Sequence, residues 1–204
     1  NPSLVGSEMC IRDSIYTGDI VAMQSSPSFD PNLFLFGINQ DDWQLIRNNP
    51  LKPLVNKTLS GLYSPGSTFK PMVALSALEN KIISKNFRVK CTGKTEMYGQ
   101  TFHCWKEKGH GFVDLKNAMK QSCDTYFYEI ARQLGVDRLR KTSTKFGLGD
   151  KVLNNAYTNE KKGLVPNTDW KKNNLGKAWV LGETLITGIG QGYTQTTPLQ
   201  LCLM

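Results

Sequence analysis

Residues 63–79 read YSPGSTFKPMVALSALE, and the rest of the chain is read outward from them. Pro65-Gly66 is a turn signal. Behind it, Phe69, Val73 and Ala77, with Met72, Leu75 and Leu78 one turn offset, are apolar around most of a helix's girth. A helix apolar nearly all round is a buried one, so the pattern predicts a buried helix from about Ser67 to Asn80. Pro71 would clash with the carbonyl four residues back, at Ser67, anywhere but in the first turn. That places Ser67 at the helix start. A helical residue and the one three later share a face, so Ser67 and Lys70 are expected to touch.

The pair has a chemical reading. A serine hydroxyl is a poor nucleophile until a neighbour takes its proton. A protonated lysine cannot do this, but burial disfavours the charged form, and Lys70 lies between Phe69 and Met72 on the buried helix. The helix start adds free backbone N–H groups that favour developing negative charge. The competing reading is structural: a serine cap and a lysine that snorkels to water.

A second piece lies at Ser122-Cys123-Asp124, which interrupts two helical patterns. One covers Asp114 to about Gln121. The other, TYFYEIARQLG, runs to the stop signal Gly135. Either Asp124 caps the following helix, or Ser122 relays a proton and Asp124 accepts from Lys70 or the substrate backbone.

Elsewhere, GDIVAMQSS reads as a strand and residues 27–32, PSFDPN, as a rigid turn. Residues 37–66 read as loop with a short helix around Asp41 to Asn48. DRLRKTSTKFGLG predicts a helix between Asp137 and Gly147. Residues 148–180 read as a long surface loop pinned by Trp170 and Trp179. TLITGIGQGYT begins like a strand, and TPLQLCLM like a helix with Pro198 in its first turn.

Composition sets bounds. The 204 residues, 39% apolar and 21% charged, suit a folded domain rather than a disordered chain. The net charge of +8 comes from lysines spread along the sequence and reads as a solvated face. No apolar run is long enough to span a membrane. The glycines of GLYSPGST put Ser67 where a phosphate-binding loop needs lysine. GIGQG lacks the dinucleotide fingerprint, no Gly-x-Ser-x-Gly elbow occurs, and MYGQTFHCWKEK is too short and acidic for nucleic acid. No cofactor is therefore expected.

The five cysteines, Cys10, Cys91, Cys104, Cys123 and Cys202, are too sparse for a disulfide scaffold. Cys91 and Cys104 flank a polar, glycine-containing segment. Free thiols, a disulfide, or a zinc site with His103 or His110 are all open, although the spacing matches no standard zinc pattern.

Taken together, YSPGSTFKP and SCDTYFY resemble the transpeptidase domain of the class B penicillin-binding proteins. TGDIVAMQSSPSFDPNLF, PLVNKTLSGLYSPGSTFKP, CWKEKGHGFVDLKNAMKQSCDTYFYEIARQLG and GIGQGYTQTTPLQL follow in family order, from about residue 15 to the end. The family pattern is Ser-x-x-Lys, then Ser-x-Asn or Ser-x-Asp, then Lys-Thr-Gly. The resemblance implies an α+β fold of the penicillin-binding-protein and serine beta-lactamase type, helix-rich here with an incomplete antiparallel sheet. It implies a peptidoglycan D,D-transpeptidase acting on stem peptides that end in D-Ala-D-Ala. Ser67 is then the acylated nucleophile and beta-lactam target, Lys70 its base, and Ser122 and Asp124 the second motif, with Asp usual in the elongation subgroup. No cofactor, metal or nucleic acid is implied. A membrane glycan polymerase is the implied partner, at the periplasmic face of the inner membrane. That setting favours a Cys91–Cys104 disulfide.

Two departures stand out. Lys-Thr-Gly is absent, since GKTEM puts Glu96 where glycine is required, and family order places that motif on a strand after residue 204. The reading is thus of a partial transpeptidase domain over residues 15–204. Residues 1–14, NPSLVGSEMCIRDS, do not match the family's apolar strand and are set aside as a foreign join. The alternatives are a beta-lactam sensor, a serine beta-lactamase-like protein, a D-Ala-D-Ala carboxypeptidase using water as acceptor, or a scaffold without chemistry.

Overall fold

A computed structural model describes residues 8–153 and 156–204. They form two compact units. The first comprises the described residues up to 62 with 151–162 and 197–204; the second comprises 63–150 and 163–196. The architecture is mixed α+β, with three two-stranded antiparallel sheets among the described residues. None of the described helices is long and apolar enough to cross a membrane.

In the first unit, β1 (Glu8–Asp13) pairs antiparallel with β2 (Ile20–Ser26). Residues 8–13 thus take part in the fold although they fall in the segment set aside on sequence; residues 1–7 lie outside the described residues. The turn at 27–32 is built as expected: Asp30 accepts from the Asn32 N–H and opens a 3-10 turn, Pro31–Phe34. Asn39 caps α1 (Gln40–Arg47), the short helix foreseen there, and Asn56 caps α2 (Lys57–Ser60), which is too short to show a period. Thr197 and Gln200 form a reciprocal capping box on α9 (Pro198–Leu203), whose Pro198 occupies the first turn.

The second unit is organised around two helices. A 3-10 turn, Gly66–Phe69, leads into α3 (Lys70–Glu79), which buries Lys70, Met72, Val73, Ala74, Ser76 and Ala77. Asp114 caps α4 (Leu115–Lys120) through the Asn117 N–H. α5 (Asp124–Leu134) follows and buries Tyr126, Phe127, Ile130, Ala131 and Leu134. It packs on α3, on α8 (Leu181–Thr187) and on β3 (Arg88–Cys91). Gly135, at φ 79°, adopts a conformation costly for any side chain and turns the chain into α6 (Val136–Thr144). β3 pairs with β6 (Gly111–Asp114), and β4 (Lys94–Met97) with β5 (Gln100–His103).

Two sequence expectations give way. TLIT is not a strand but most of α8. Glu183 accepts from the Val180 N–H across its first turn, and Thr184, Leu185 and Thr187 are buried. Tertiary packing overrides β propensity here. The stretch 148–180 is not all loop either: α7 (Thr168–Leu175) lies within it, capped by Asn167 and ended by Gly176 in the left-handed region. Its Lys171 is buried and ion-paired to Glu183 at 2.6 Å. The two tryptophans do anchor this region. Trp170 packs on Tyr193 at 5.2 Å, and the Trp179 indole donates to Thr184 Oγ1 at 2.8 Å.

One backbone seam fixes the start of the helix that carries Lys70. The Gly66 N–H donates to the Gly190 carbonyl at 2.8 Å. A Cβ on Gly190 would lie 2.2 Å from the Gly66 carbonyl oxygen, which no side chain tolerates. The GIGQG segment is therefore structural support for the turn at Ser67 rather than a ligand loop.

Candidate active site

Ser67 lies in the 3-10 turn and is exposed, while Lys70, at the head of α3, is 2% exposed. The local sequence explains the arrangement. The Lys70 N–H already bonds the Ser67 carbonyl in the tighter 3-10 pattern, so the N–H that Pro71 lacks leaves no acceptor waiting there.

Lys70 reaches across to the loop between α4 and α5. Its ammonium donates to the Ser122 carbonyl at 3.0 Å, to Ser122 Oγ at 2.9 Å and to Asp124 Oδ1 at 2.6 Å. An ammonium has three hydrogens, and all three are used. Below it lies the Phe127 ring, 5.3 Å from Nζ to the centroid. The contact between Ser67 and Lys70 therefore runs through Ser122, whose hydroxyl donates to Ser67 Oγ at 2.9 Å. The i,i+3 spacing suggested direct touch. The geometry instead gives a relay, Ser67–Ser122–Lys70–Asp124.

All four residues singled out on sequence thus meet in one place. The capping alternative for Asp124 is set aside. It is the first residue of α5, and its carboxylate turns to Lys70 and, through Oδ2, to the Trp105 N–H at 3.1 Å. The snorkelling alternative for Lys70 fails on its burial. Ser122 holds φ 51°, an uncommon conformation for a residue with a side chain. Such strain persists only where the surroundings over-determine it.

Behind the loop, Cys91, Cys104, His110 and Cys123 bring their donor atoms within 4.8 Å of one another. The expected Cys91–Cys104 disulfide is absent; both are buried free thiols. Each turns its sulfur to His110 Nδ1, at 3.5 and 3.6 Å respectively. Burial alone would push the Cys91 thiol up, but hydrogen bonds with Thr125, the Gly93 backbone and His110 outweigh it and bring it down to about 6. Burial, with the neighbouring Cys104 and Cys91 sulfurs adding to it, pushes the Cys123 thiol up. Sequence reading left a site of Cys91 and Cys104 with His103 or His110 open; the structure groups His110 and not His103 with them, and adds Cys123, which was missed because it comes from the distant α4–α5 loop. Trp105 was missed because its partners, too, lie on that loop.

Comparison with known proteins shows the family. Residues 14–204 match the penicillin binding protein transpeptidase domain. The chain is 42% identical over 189 residues to the peptidoglycan D,D-transpeptidase MrdA of Acinetobacter baumannii, covering 92% of this chain and 28% of that protein. It therefore spans under a third of that relative's length. Among solved structures, Pseudomonas aeruginosa PBP2 in complex with WCK 5153 superimposes with a TM-score of 0.92 at 41% identity, over 99% of this chain and 46% of that one. Penicillin-binding protein A of M. tuberculosis, solved as a penicillin G acyl-enzyme complex, gives 0.80 at 27% identity, over 95% and 43%. With the family's first two motifs assembled around one hydroxyl, and the match covering nearly the whole chain, this protein belongs to the penicillin-binding protein transpeptidase family.

Proposed function

We propose that the chain carries the acylation half of a peptidoglycan D,D-transpeptidase of the cell-elongation type, with Ser67 as nucleophile, Lys70 as general base, and Ser122 and Asp124 as relay and counter-ion. The observation that carries the proposal is the unbroken hydrogen-bonded path from the exposed Ser67 hydroxyl to the buried Lys70 amine. Ser67 Oγ attacks the penultimate D-Ala carbonyl of a stem peptide. Its proton passes to Ser122, whose own proton passes to Lys70 in its neutral form. In this reading the Ser67 backbone N–H serves as a donor to the developing oxyanion. When the tetrahedral adduct collapses, the C–N bond breaks and the departing D-Ala amine takes the proton back along the same path. The amine of a neighbouring stem then attacks the ester, forms the 4-3 crosslink and frees Ser67. Asp124 balances Lys70 whenever it is an ammonium.

Beta-lactams share the reacting amide and the same path, so the test is covalent labelling. After incubation with a labelled penicillin, mass spectrometry of the full-length protein should place one adduct on the peptide that carries Ser67. An adduct on any other residue would refute the assignment.

We further propose that the Cys91, Cys104, His110 and Cys123 cluster holds one zinc ion in a structural role. Tetrahedral bonds of about 2.3 Å to sulfur and about 2.0–2.1 Å to imidazole nitrogen put neighbouring S and N donors about 3.6 Å apart. The two sulfur-to-Nδ1 separations agree with this. Three sulfurs and one imidazole are also a donor set that structural zinc takes. Bound there, zinc would supply structure, locking Cys123 between the two reactive residues of the second motif. Metal analysis of the purified protein should find about one zinc per chain, lost in Cys104→Ser. Metal-free protein whose thiols react freely before denaturation would rule this out.

A further inference from the structure

We infer that Trp105 is a positioning residue for the acylation step: its indole N–H holds the Ser122 loop in the strained form that the relay requires. The inference rests on the acyl-transfer reading above. Three observations lead to it.

The left-handed backbone of Ser122 is costly for a residue with a side chain and is held by its surroundings. Lys70 supplies one restraint, on the Ser122 carbonyl and hydroxyl. The second comes from outside the loop. Trp105 Nε1 donates to the Gln121 carbonyl at 3.0 Å and to the Ser122 carbonyl at 3.1 Å. The same residue's backbone N–H donates to Asp124 Oδ2 at 3.1 Å. One residue thus grips the loop on both sides of Cys123, and leaves Asp124 Oδ1 free to face Lys70.

Core packing does not account for a tryptophan here, because Trp105 is 64% exposed. The ring's packing partner is His110, at 5.4 Å with the planes 66° apart. Its indole N–H is committed to the carbonyls of Gln121 and Ser122. Phenylalanine or tyrosine would fill the space without that donor. Trp105 touches neither substrate nor the reacting atoms; it acts through Ser122.

The test separates the donor from the ring. In the full-length protein, Trp105→Phe removes the N–H. Incorporation of 3-benzothienylalanine at position 105 replaces only that N–H by sulfur and keeps the bicyclic shape. Acylation by a fluorescent penicillin is resolved into the binding constant of the reversible complex and the maximal acylation rate constant, with thermal melting recorded alongside. Both variants should acylate about tenfold more slowly at saturation, with binding of the reversible complex unchanged within about twofold and melting little altered. Unchanged acylation in both overturns the inference, and so does a slow Trp105→Phe beside a wild-type rate with benzothienylalanine, since the ring alone would then matter. A wild-type protein that takes no label overturns the acyl-transfer reading itself, and this inference with it.

Discussion

Ser67→Ala abolishes covalent attachment of penicillin: the adduct on the Ser67 peptide disappears, and no second residue takes its place. The expected fall in acylation rate is at least about 10⁴-fold, the scale on which loss of a catalytic nucleophile acts. Stability should hardly change, because Ser67 is exposed and its side chain contributes one hydrogen bond, from Ser122. Unaltered melting with lost labelling is the combination that separates nucleophile from cap. A serine that merely capped the turn would show the reverse. Residual labelling of Ser67→Ala at the wild-type rate would mean that Ser122, the neighbouring hydroxyl, is the acylated group.

Lys70→Ala should fail in two ways at once. Losing the general base lowers acylation by about 10²–10⁴-fold. Losing the cation strands Asp124, whose side chain is only 14% exposed, and breaking a buried pair from one side costs about 3–5 kcal/mol. The double variant Lys70→Ala, Asp124→Ala removes both charges. Its stability should fall by less than the sum of the single changes, while its acylation stays as low as that of Lys70→Ala. Chemical denaturation of the four proteins, beside their labelling rates, checks both statements. Additive destabilisation would show that the 2.6 Å pair is not energetically coupled, and acylation restored in the double variant would remove Lys70 from the mechanism.

The site was legible where its chemistry is local. The apolar girth of residues 69–78 and the position of Pro71 locate Ser67 at the turn and Lys70 beneath it without any knowledge of distant contacts. The stretch from Asp124 to Gly135 shows its helix in the same way. Illegibility begins where structure depends on partners far away in sequence. β3 to β6 have four residues each, too few for any alternation to stand out from the neighbouring loops. α8 is helical because buried contacts and Glu183 hold it, although Thr184, Ile186 and Thr187 favour strand. Cys91 and Cys123 lie close only because β3 packs against α5. The relay through Ser122 needed coordinates too, since spacing along one helix cannot tell a direct contact from one bridged by another loop.

The difference in depth between the exposed hydroxyl and the enclosed amine of the first motif has a chemoselective consequence. An amine is the stronger nucleophile of the two, and an acyl group captured by it would become an amide, which water and incoming amines scarcely cleave. With Ser122 and Asp124 closing over the nitrogen, an arriving electrophile meets oxygen first. On the acyl-transfer reading proposed above, the captured peptide would be kept as the more labile derivative, and the catalyst would escape self-inactivation at every turnover.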